Sequence, residues 1–190
     1  MQIYFTASLS GKPEYEKNYQ EIIGVLEKLG HKIISRHVVD TKFEDVVDSS
    51  DKQLVKYYEK TLQNISKCDL VVSEVSHPTI GIGHEISIAL DKGKPVIVLV
   101  EEKALMPQIL KVVPSANIRA VKYTLGNLEN VIKKLITEVK SSIPVRFNFF
   151  VSPEINEYLD WIARVKRTPR AVYLMELLEK EMEKSKEFGK

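Results

Sequence analysis

Two patterns of hydrophobic and polar positions alternate along the chain. Five short stretches predict strands, at residues 2–6, 31–38, 69–75, 96–100 and 118–123, and the continuous apolar run at 96–100 is typical of a buried parallel strand. Between most of them lie stretches with apolar residues at helical spacing, at 15–29, 51–66, 84–90 and 128–139. This alternation predicts an α/β domain: a five-stranded, doubly wound parallel sheet of the flavodoxin-like or Rossmann-like kind.

The pattern changes after residue 144. Residues 145–151 alternate between apolar and polar positions, as in a strand, and Ser152-Pro153 and Thr168-Pro169 each predict the start of a helix. One strand with two helices cannot bury its own strand, so this part needs a partner chain. We therefore predict two domains, 1–141 and 145–190, joined by a linker at 142–144.

Composition narrows the function only slightly. The chain has 190 residues and a formal net charge of +2, which gives no global electrostatic reason to bind nucleic acid or membranes. Cys68 is the sole cysteine, which fits a reducing compartment. We expect a cytoplasmic protein without a targeting signal or a membrane span, because residues 1–7 resemble a strand and no apolar stretch is long enough.

The chemically informative segment follows the third predicted strand. Residues 76–83 form a loop that contains Gly81 and Gly83, and a helix is predicted from about His84. The glycines allow a ligand to approach the backbone, and the first helical turn suits an anion. Glu85 is expected in that turn, where the helix dipole favours its ionised form, and an ionised carboxylate can attack a sugar's anomeric carbon. Many nucleotide-binding folds share this strand–loop–helix pattern, so the residues alone leave the role of Glu85 open.

No metal site or cofactor is predicted. His77 and His84 lie near Glu85, but further ligands at metal-site spacing are absent from the sequence around them.

Specific blocks of sequence resemble the nucleoside 2-deoxyribosyltransferase superfamily over about residues 1–140. The resemblance is closest to the branch of 2′-deoxynucleoside 5′-monophosphate N-glycosidases and CMP hydrolases. It rests on residues 3–5 with Ala7-Ser8 and Gly11, on His37-Val38, on residues 69–75 and above all on residues 78–86, Pro-Thr-Ile-Gly-Ile-Gly-His-Glu-Ile. The resemblance implies that Glu85 is a nucleophile that forms a covalent ribosyl intermediate. It also implies that Asp69 organises the site and that Tyr4 orients the carboxylate or lines the sugar pocket.

The same resemblance implies a set of substrate-binding residues. His37 is expected near the base or sugar; the residues expected to hold the 5′ end or its phosphate are Ser8, Gly11, Lys12, Thr79, Gly81 and Gly83. The chain departs from the monophosphate-specific branch at Ser10, where that branch has Arg, and at 105–108, where it has a phosphate-binding Ser for the neighbouring subunit. Phosphate preference, and hydrolysis against base transfer, therefore stay open.

The C-terminal segment, residues 145–182, resembles a ribbon-helix-helix unit, in which two chains pair their strands and outward side chains enter the DNA major groove. Those side chains are Arg146 and Asn148, with Phe150 as an unusual third. From residue 144 onward there are 9 Lys and Arg against 8 Asp and Glu, which is not a basic footprint. We therefore favour dimerisation over DNA binding for this module.

The sequence leads to one main hypothesis and three alternatives. The main hypothesis is an N-glycosidase that cleaves a (deoxy)nucleoside or its 5′-monophosphate, organised as a dimer or a dimer of dimers. The alternatives are a nucleoside 2-deoxyribosyltransferase, a nucleotide-sensing DNA-binding regulator, and a TIR-like NAD glycohydrolase, which also uses a Glu at a comparable topological point.

Overall fold

A computed structural model describes residues 1–35, 37–41, 50–111, 117–142 and 149–185. These residues separate into two compact units, Met1–Ile143 and Pro144–Lys190. No helix among them is long and apolar enough to cross a membrane.

The first unit is built on a five-stranded sheet in which all pairings are parallel. The spatial order is β2-β1-β3-β4-β5. The strands are β1 Gln2–Ala7, β2 Lys32–Ser35, β3 Leu70–Glu74, β4 Val96–Glu101 and β5 Ile118–Tyr123. This confirms the predicted doubly wound sheet in flavodoxin-like order, which places ligands beyond the carboxyl ends of its strands.

Helices connect consecutive strands. In the first unit they are α1 Lys12–Lys28, α2 His37–Asp40, α3 Asp51–Lys67, α4 Ile80–Asp91 and α5 Leu128–Ser142, with a 3-10 turn at Gln108–Lys111. Local sequence accounts for their ends. Gly30, at a φ of 79°, follows α1, and Ser50 forms a capping box with Gln53 at the start of α3.

Two predicted boundaries were wrong. The strand predicted over 31–38 ends at Ser35, and His37–Asp40 is a short helix that brings Val38 into the core. The helix predicted from His84 begins at Ile80, because Thr79 caps it: the Thr79 Oγ1 accepts a hydrogen bond from the Ile82 N–H. Gly81 and Gly83 therefore belong to the first turn of α4, and Glu85 lies in its second turn.

The core is split by the sheet into two layers. One layer packs α1 and α5 against residues such as Phe5, Val72 and Leu99. The other packs α3 and α4 against Tyr4, Val71 and Val98. Because successive strand residues point to opposite faces, neighbouring residues of β3 serve different layers.

The second unit consists, in its described part, of α6 Pro153–Lys166 and α7 Arg170–Lys184. Ser152 caps α6 as predicted, since its Oγ accepts from the Ile155 N–H. The predicted Thr168 cap was wrong: Pro169 is the N-cap of α7, and the Thr168 hydroxyl donates to the Lys166 carbonyl. Of the predicted strand at 145–151, residues 149–151 are not in a strand, and 145–148, with Arg146 and Asn148, lie outside the described residues.

Candidate active site

Glu85 lies on α4 facing β1. The buried positions of this helix are Ile82, Ile86 and Ala89. Glu85 therefore lies at the edge of the buried face of α4. The Tyr4 hydroxyl donates to Glu85 Oε2 at 3.1 Å. The Thr6 hydroxyl, two residues further along β1, also donates to this carboxylate. Glu85 is thus a partly buried carboxylate that two hydroxyl groups hold in place.

The pKa of Glu85 is shifted in the opposite direction to the one predicted. Burial raises the pKa of this carboxyl, although the hydrogen bonds from Thr6 and Tyr4 and the charge of His84 oppose the increase. The prediction that the first helical turn favours the ionised form was wrong, because Glu85 lies one turn further from the helix end and is partly desolvated.

A second group of hydroxyls lies behind Tyr4. The Thr61 side chain is hydrogen-bonded to the hydroxyls of Tyr4 and Tyr57, and the Glu85 charge acts on both phenols. Burial raises the pKa of Tyr4 and Tyr57, which therefore remain protonated donors at neutral pH. Thr6, Tyr57 and Thr61 were not among the predicted site residues. The alternation that places Thr6 on the face of Tyr4 was the one available indication of Thr6.

A cavity of about 290 Å³ adjoins this group through Tyr57 and Thr61. Its remaining lining is largely polar and comes from β2, α2 and α3: Ile34, Ser35, Asp40, Thr41, Lys60 and Asn64. A space of this size, with several hydrogen-bonding groups and a carboxylate beside it, suits a small polar ligand.

The predicted residues of the 5′ end are brought together in part. Gly11 caps α1 and lies against His77: a Cβ at Gly11 would be 2.5 Å from the His77 Cβ. The loops after β1 and β3 are therefore in contact, as expected at a switch point. Gly83 is exposed, with open space where a Cβ would stand, and Gly81 is exposed as well. The first turn of α4 can therefore be approached closely by a ligand.

Ser8 and Lys12 make structural contacts. The buried Ser8 Oγ accepts from the Gly11 N–H at 3.0 Å, which shapes the start of α1. The Lys12 ammonium donates to the carbonyls of Val39 at 2.6 Å and Thr41 at 3.0 Å. Lys12 thus braces the end of α2, and a role in phosphate binding requires it to leave these carbonyls. The His37 side chain lies outside the described residues.

Asp69 does not join the site. It precedes β3 at the amino edge of the sheet, where its Oδ2 accepts from the Gln2 N–H at 2.7 Å. Gly11 and the start of α4 follow the carboxyl ends of β1 and β3, at the other edge. The predicted role of Asp69 in organising the site was therefore wrong, since this carboxylate organises the beginning of β1 instead.

Fold and site together define a doubly wound α/β protein with a hydroxyl-bound glutamate, whose hydrogen-bonding group reaches a cavity through Tyr57 and Thr61. Residues 3–143 match the nucleoside 2-deoxyribosyltransferase family, so the chain belongs to that family. This confirms the resemblance predicted for this part of the chain, and with it an enzyme of the N-glycosidase and deoxyribosyltransferase class.

Named relatives agree with this placement. A putative 2′-deoxynucleoside 5′-phosphate N-hydrolase 1 of Thermofilum pendens is 28% identical over 149 residues, 77% of this chain and 100% of the relative. A protein of the same name from Syntrophotalea carbinolica is 30% identical over 139 residues, 73% of this chain and 96% of the relative. The fold is shared with the CMP N-glycosidase of Clostridium botulinum, with a TM-score of 0.51, 18% identity, and coverage of 72% of this chain and 99% of that one.

Proposed function

We propose that this chain hydrolyses the N-glycosidic bond of a 2′-deoxynucleoside 5′-monophosphate, with Glu85 as the nucleophile. The observation that carries the proposal is the Glu85 carboxylate, which Tyr4 and Thr6 hold and which is linked through Tyr4 to Thr61 in the lining of the cavity. Support for the substrate class comes from the relatives named 2′-deoxynucleoside 5′-phosphate N-hydrolase.

Each side chain of the site has one role in the proposed reaction. The ionised Glu85 attacks C1′, the bond between C1′ and the base nitrogen breaks, and the base leaves with the bonding electrons. Water then attacks C1′ of the glycosyl ester and the bond between C1′ and the Glu85 oxygen breaks. The water oxygen stays on C1′ as a hydroxyl, one water proton goes to the departed base, and deoxyribose 5-phosphate and the carboxylate are released. The Tyr4 and Thr6 hydroxyls stabilise the carboxylate both before attack and when it leaves.

The 5′-phosphate is assigned to the first turn of α4. Thr79 already accepts from the N–H groups of Ile82 and Gly83, so the anion is assigned to those of Ile80 and Gly81. The exposed Gly81 and Gly83 offer no side chain that blocks it. The base is assigned to the polar cavity between α2 and α3. Hydrolysis rather than transfer is preferred because the relatives above are named N-hydrolases.

The test is chromatography of a panel of ribo- and deoxynucleotides, the matching nucleosides and NAD after incubation with the full chain. We expect free base and deoxyribose 5-phosphate from deoxynucleotides, no product with Glu85→Gln, and full activity with the exposed control Glu102→Gln. Base exchange faster than hydrolysis indicates a transferase, and NAD consumption alone indicates a glycohydrolase; either result contradicts the proposal. An unchanged rate in Glu85→Gln excludes the nucleophile.

We further propose that the second unit pairs with a second copy of the chain. Its described core contains only Leu159, Ile162 and Tyr173 as buried apolar residues, which is too little to stabilise so small a unit alone. Large apolar side chains of both helices are exposed, among them Ile155, Trp161, Val165, Met175 and Leu178. Such a surface is typical of an interface between subunits.

Light scattering after gel filtration measures the mass of this assembly. We expect a multiple of 21.7 kDa for the wild type and a lower mass for Val165→Glu combined with Leu178→Glu. The matched control is Glu157→Gln on the same helix. A monomeric wild type contradicts pairing, and a shift of labelled DNA by the wild type favours the DNA-binding alternative.

A further inference from the structure

A second buried carboxylate lies on the face of the sheet opposite Glu85. Glu74 ends β3 and is fully buried. Its carboxylate accepts hydrogen bonds from the Ser76 N–H at 3.3 Å, from the Ser76 hydroxyl and from the Tyr123 hydroxyl at 3.2 Å. Three donors from two elements therefore converge on one side chain.

Both hydroxyls around Glu74 can donate to it while their oxygens accept hydrogen bonds from other groups. The Tyr123 oxygen already accepts from Asn18 Nδ2 at 2.9 Å, and the Ser76 Oγ accepts from the Glu101 N–H at 2.7 Å. Each hydroxyl therefore has its single proton available for Glu74. Both hydroxyls bind the same oxygen, Oε1, so a proton on Oε2 leaves these two hydrogen bonds in place but removes the negative charge that strengthens them. Protonation therefore weakens the hold of Glu74 on Ser76.

The segment held by Glu74 leads directly to the candidate active site. Ser76 is bound through both its backbone and its side chain, and the next residue, His77, lies against Gly11 at the start of α1. Two residues later Thr79 caps α4, the helix that carries Glu85. A shift of Ser76 is therefore transmitted to both loops of the switch point.

We propose that Glu74 is a positioning residue for the reaction at Glu85: its ionised carboxylate holds Ser76, and protonation loosens the segment that sets α4. The inference rests on the proposed function, since Glu74 acts through the segment and does not touch the substrate.

The surroundings of Glu74 place this change near neutral pH. Burial raises the pKa of Glu74 to about 7, against the opposing effect of the Ser76 and Tyr123 hydrogen bonds. The titratable groups that face it are Tyr15 and Tyr19 on α1, Tyr123 on β5 and Glu101 on β4, and Glu14 acts on the two α1 tyrosines. All of them are acids, and the Glu101 charge raises the pKa of Glu74 further. Activity should therefore rise as the pH rises through 7.

The first test is the pH profile of kcat/KM for deoxynucleotide hydrolysis in the full chain. In the wild type we expect a rise between about pH 6 and 8. Glu74→Gln, which cannot ionise, should remove that rise and lower kcat/KM at pH 8 about tenfold, mainly in kcat. The exposed control Glu102→Gln should keep the wild-type profile. A Glu74→Gln profile that retains the rise at the same pH overturns the proposal and assigns the rise to another group.

If Glu74→Gln does not fold, Tyr123→Phe tests the same proposal with a milder change. Tyr123→Phe removes one donor from the carboxylate, so the pKa of Glu74 should increase and the rise in activity should shift to higher pH by about half a unit or more. An unshifted profile in a folded Tyr123→Phe protein contradicts the proposal.

Nuclear magnetic resonance separates this inference from the proposed function. The amide signals of Ser76, His77 and Gly81 should titrate with a midpoint near pH 7 in the wild type and not in Glu74→Gln. If no nucleotide is cleaved, the proposed function fails, and these signals still show whether Glu74 controls the segment. Amide signals that do not move between pH 6 and 8 overturn the inference itself.

Discussion

Glu85 and Glu74 are both buried enough for their pKa values to be raised, yet they differ in what surrounds them. Glu85 is partly exposed and receives hydroxyl hydrogen bonds from one strand. Glu74 is buried and is bound by the hydroxyls of Ser76 and Tyr123. In the proposed function, the same functional group therefore serves as a reagent on one face of the sheet and as an internal support on the other, and the two differ in solvent access.

The largest expected effect is chemical and concerns Glu85 alone. Glu85→Gln keeps the shape of the side chain and removes the nucleophilic charge, so turnover should fall by about a thousandfold or more. Steady-state base release measures this loss, and an unchanged melting temperature shows that the fold is retained. A loss of the same size in Glu74→Gln would erase the distinction between the two carboxylates.

The next effect is thermodynamic and concerns Glu74. Its pKa is about 7 in the folded protein and near 4.5 when exposed, so the folded state binds the proton more tightly. Binding of this proton stabilises the folded state by about 3 kcal/mol below pH 4.5, and this contribution is lost as the pH rises through 7. Urea titrations at pH 5 and pH 8 should show a smaller difference in Glu74→Gln than in the wild type. Equal differences would mean that Glu74 does not titrate in this range.

Tyr4→Phe sharpens the description of Glu85. It removes the hydrogen bond at 3.1 Å to Oε2 without changing the ring. Because that bond favours the ionised carboxylate, the pKa of Glu85 should rise, and kcat should fall by about tenfold, or about 1.4 kcal/mol. The pH profile of kcat distinguishes the two contributions: the loss should be greater at low pH. A uniform loss at every pH indicates misplacement of the carboxylate rather than a changed pKa.

The smallest effect concerns a hydroxyl beside the Glu85 group. Ser73 is fully buried next to Thr6 in the sheet, and its Oγ has no hydrogen-bond partner within the described part of the chain. Ser73→Ala should therefore stabilise the protein by up to about 1 kcal/mol, with little change in turnover. Thermal unfolding measures the stability. A loss of activity in this variant would show that Ser73 takes part in the site on the Glu85 face.

Much of the fold follows from patterns that a sequence displays directly. The apolar run of β4 is typical of a strand covered on both faces, and the glycines at 81 and 83 with Glu85 indicate the site. Asp69 was assigned wrongly because sequence proximity to β3 does not say at which edge of the sheet a residue lies. Tyr123 hydrogen-bonds to Glu74, 49 residues earlier in the chain, and to Asn18, 105 residues earlier. No local pattern in the sequence predicts contacts over such distances.

The cap at Thr79 fixes the rotational phase of α4. A residue inserted between Thr79 and Glu85 would turn the acid by about 100° around the helix axis, away from Tyr4, whereas an insertion before Thr79 lengthens only the connection. Among homologues, insertions and deletions should therefore occur before Thr79. The five residues between Thr79 and Glu85 should keep their number wherever the glutamate is functional.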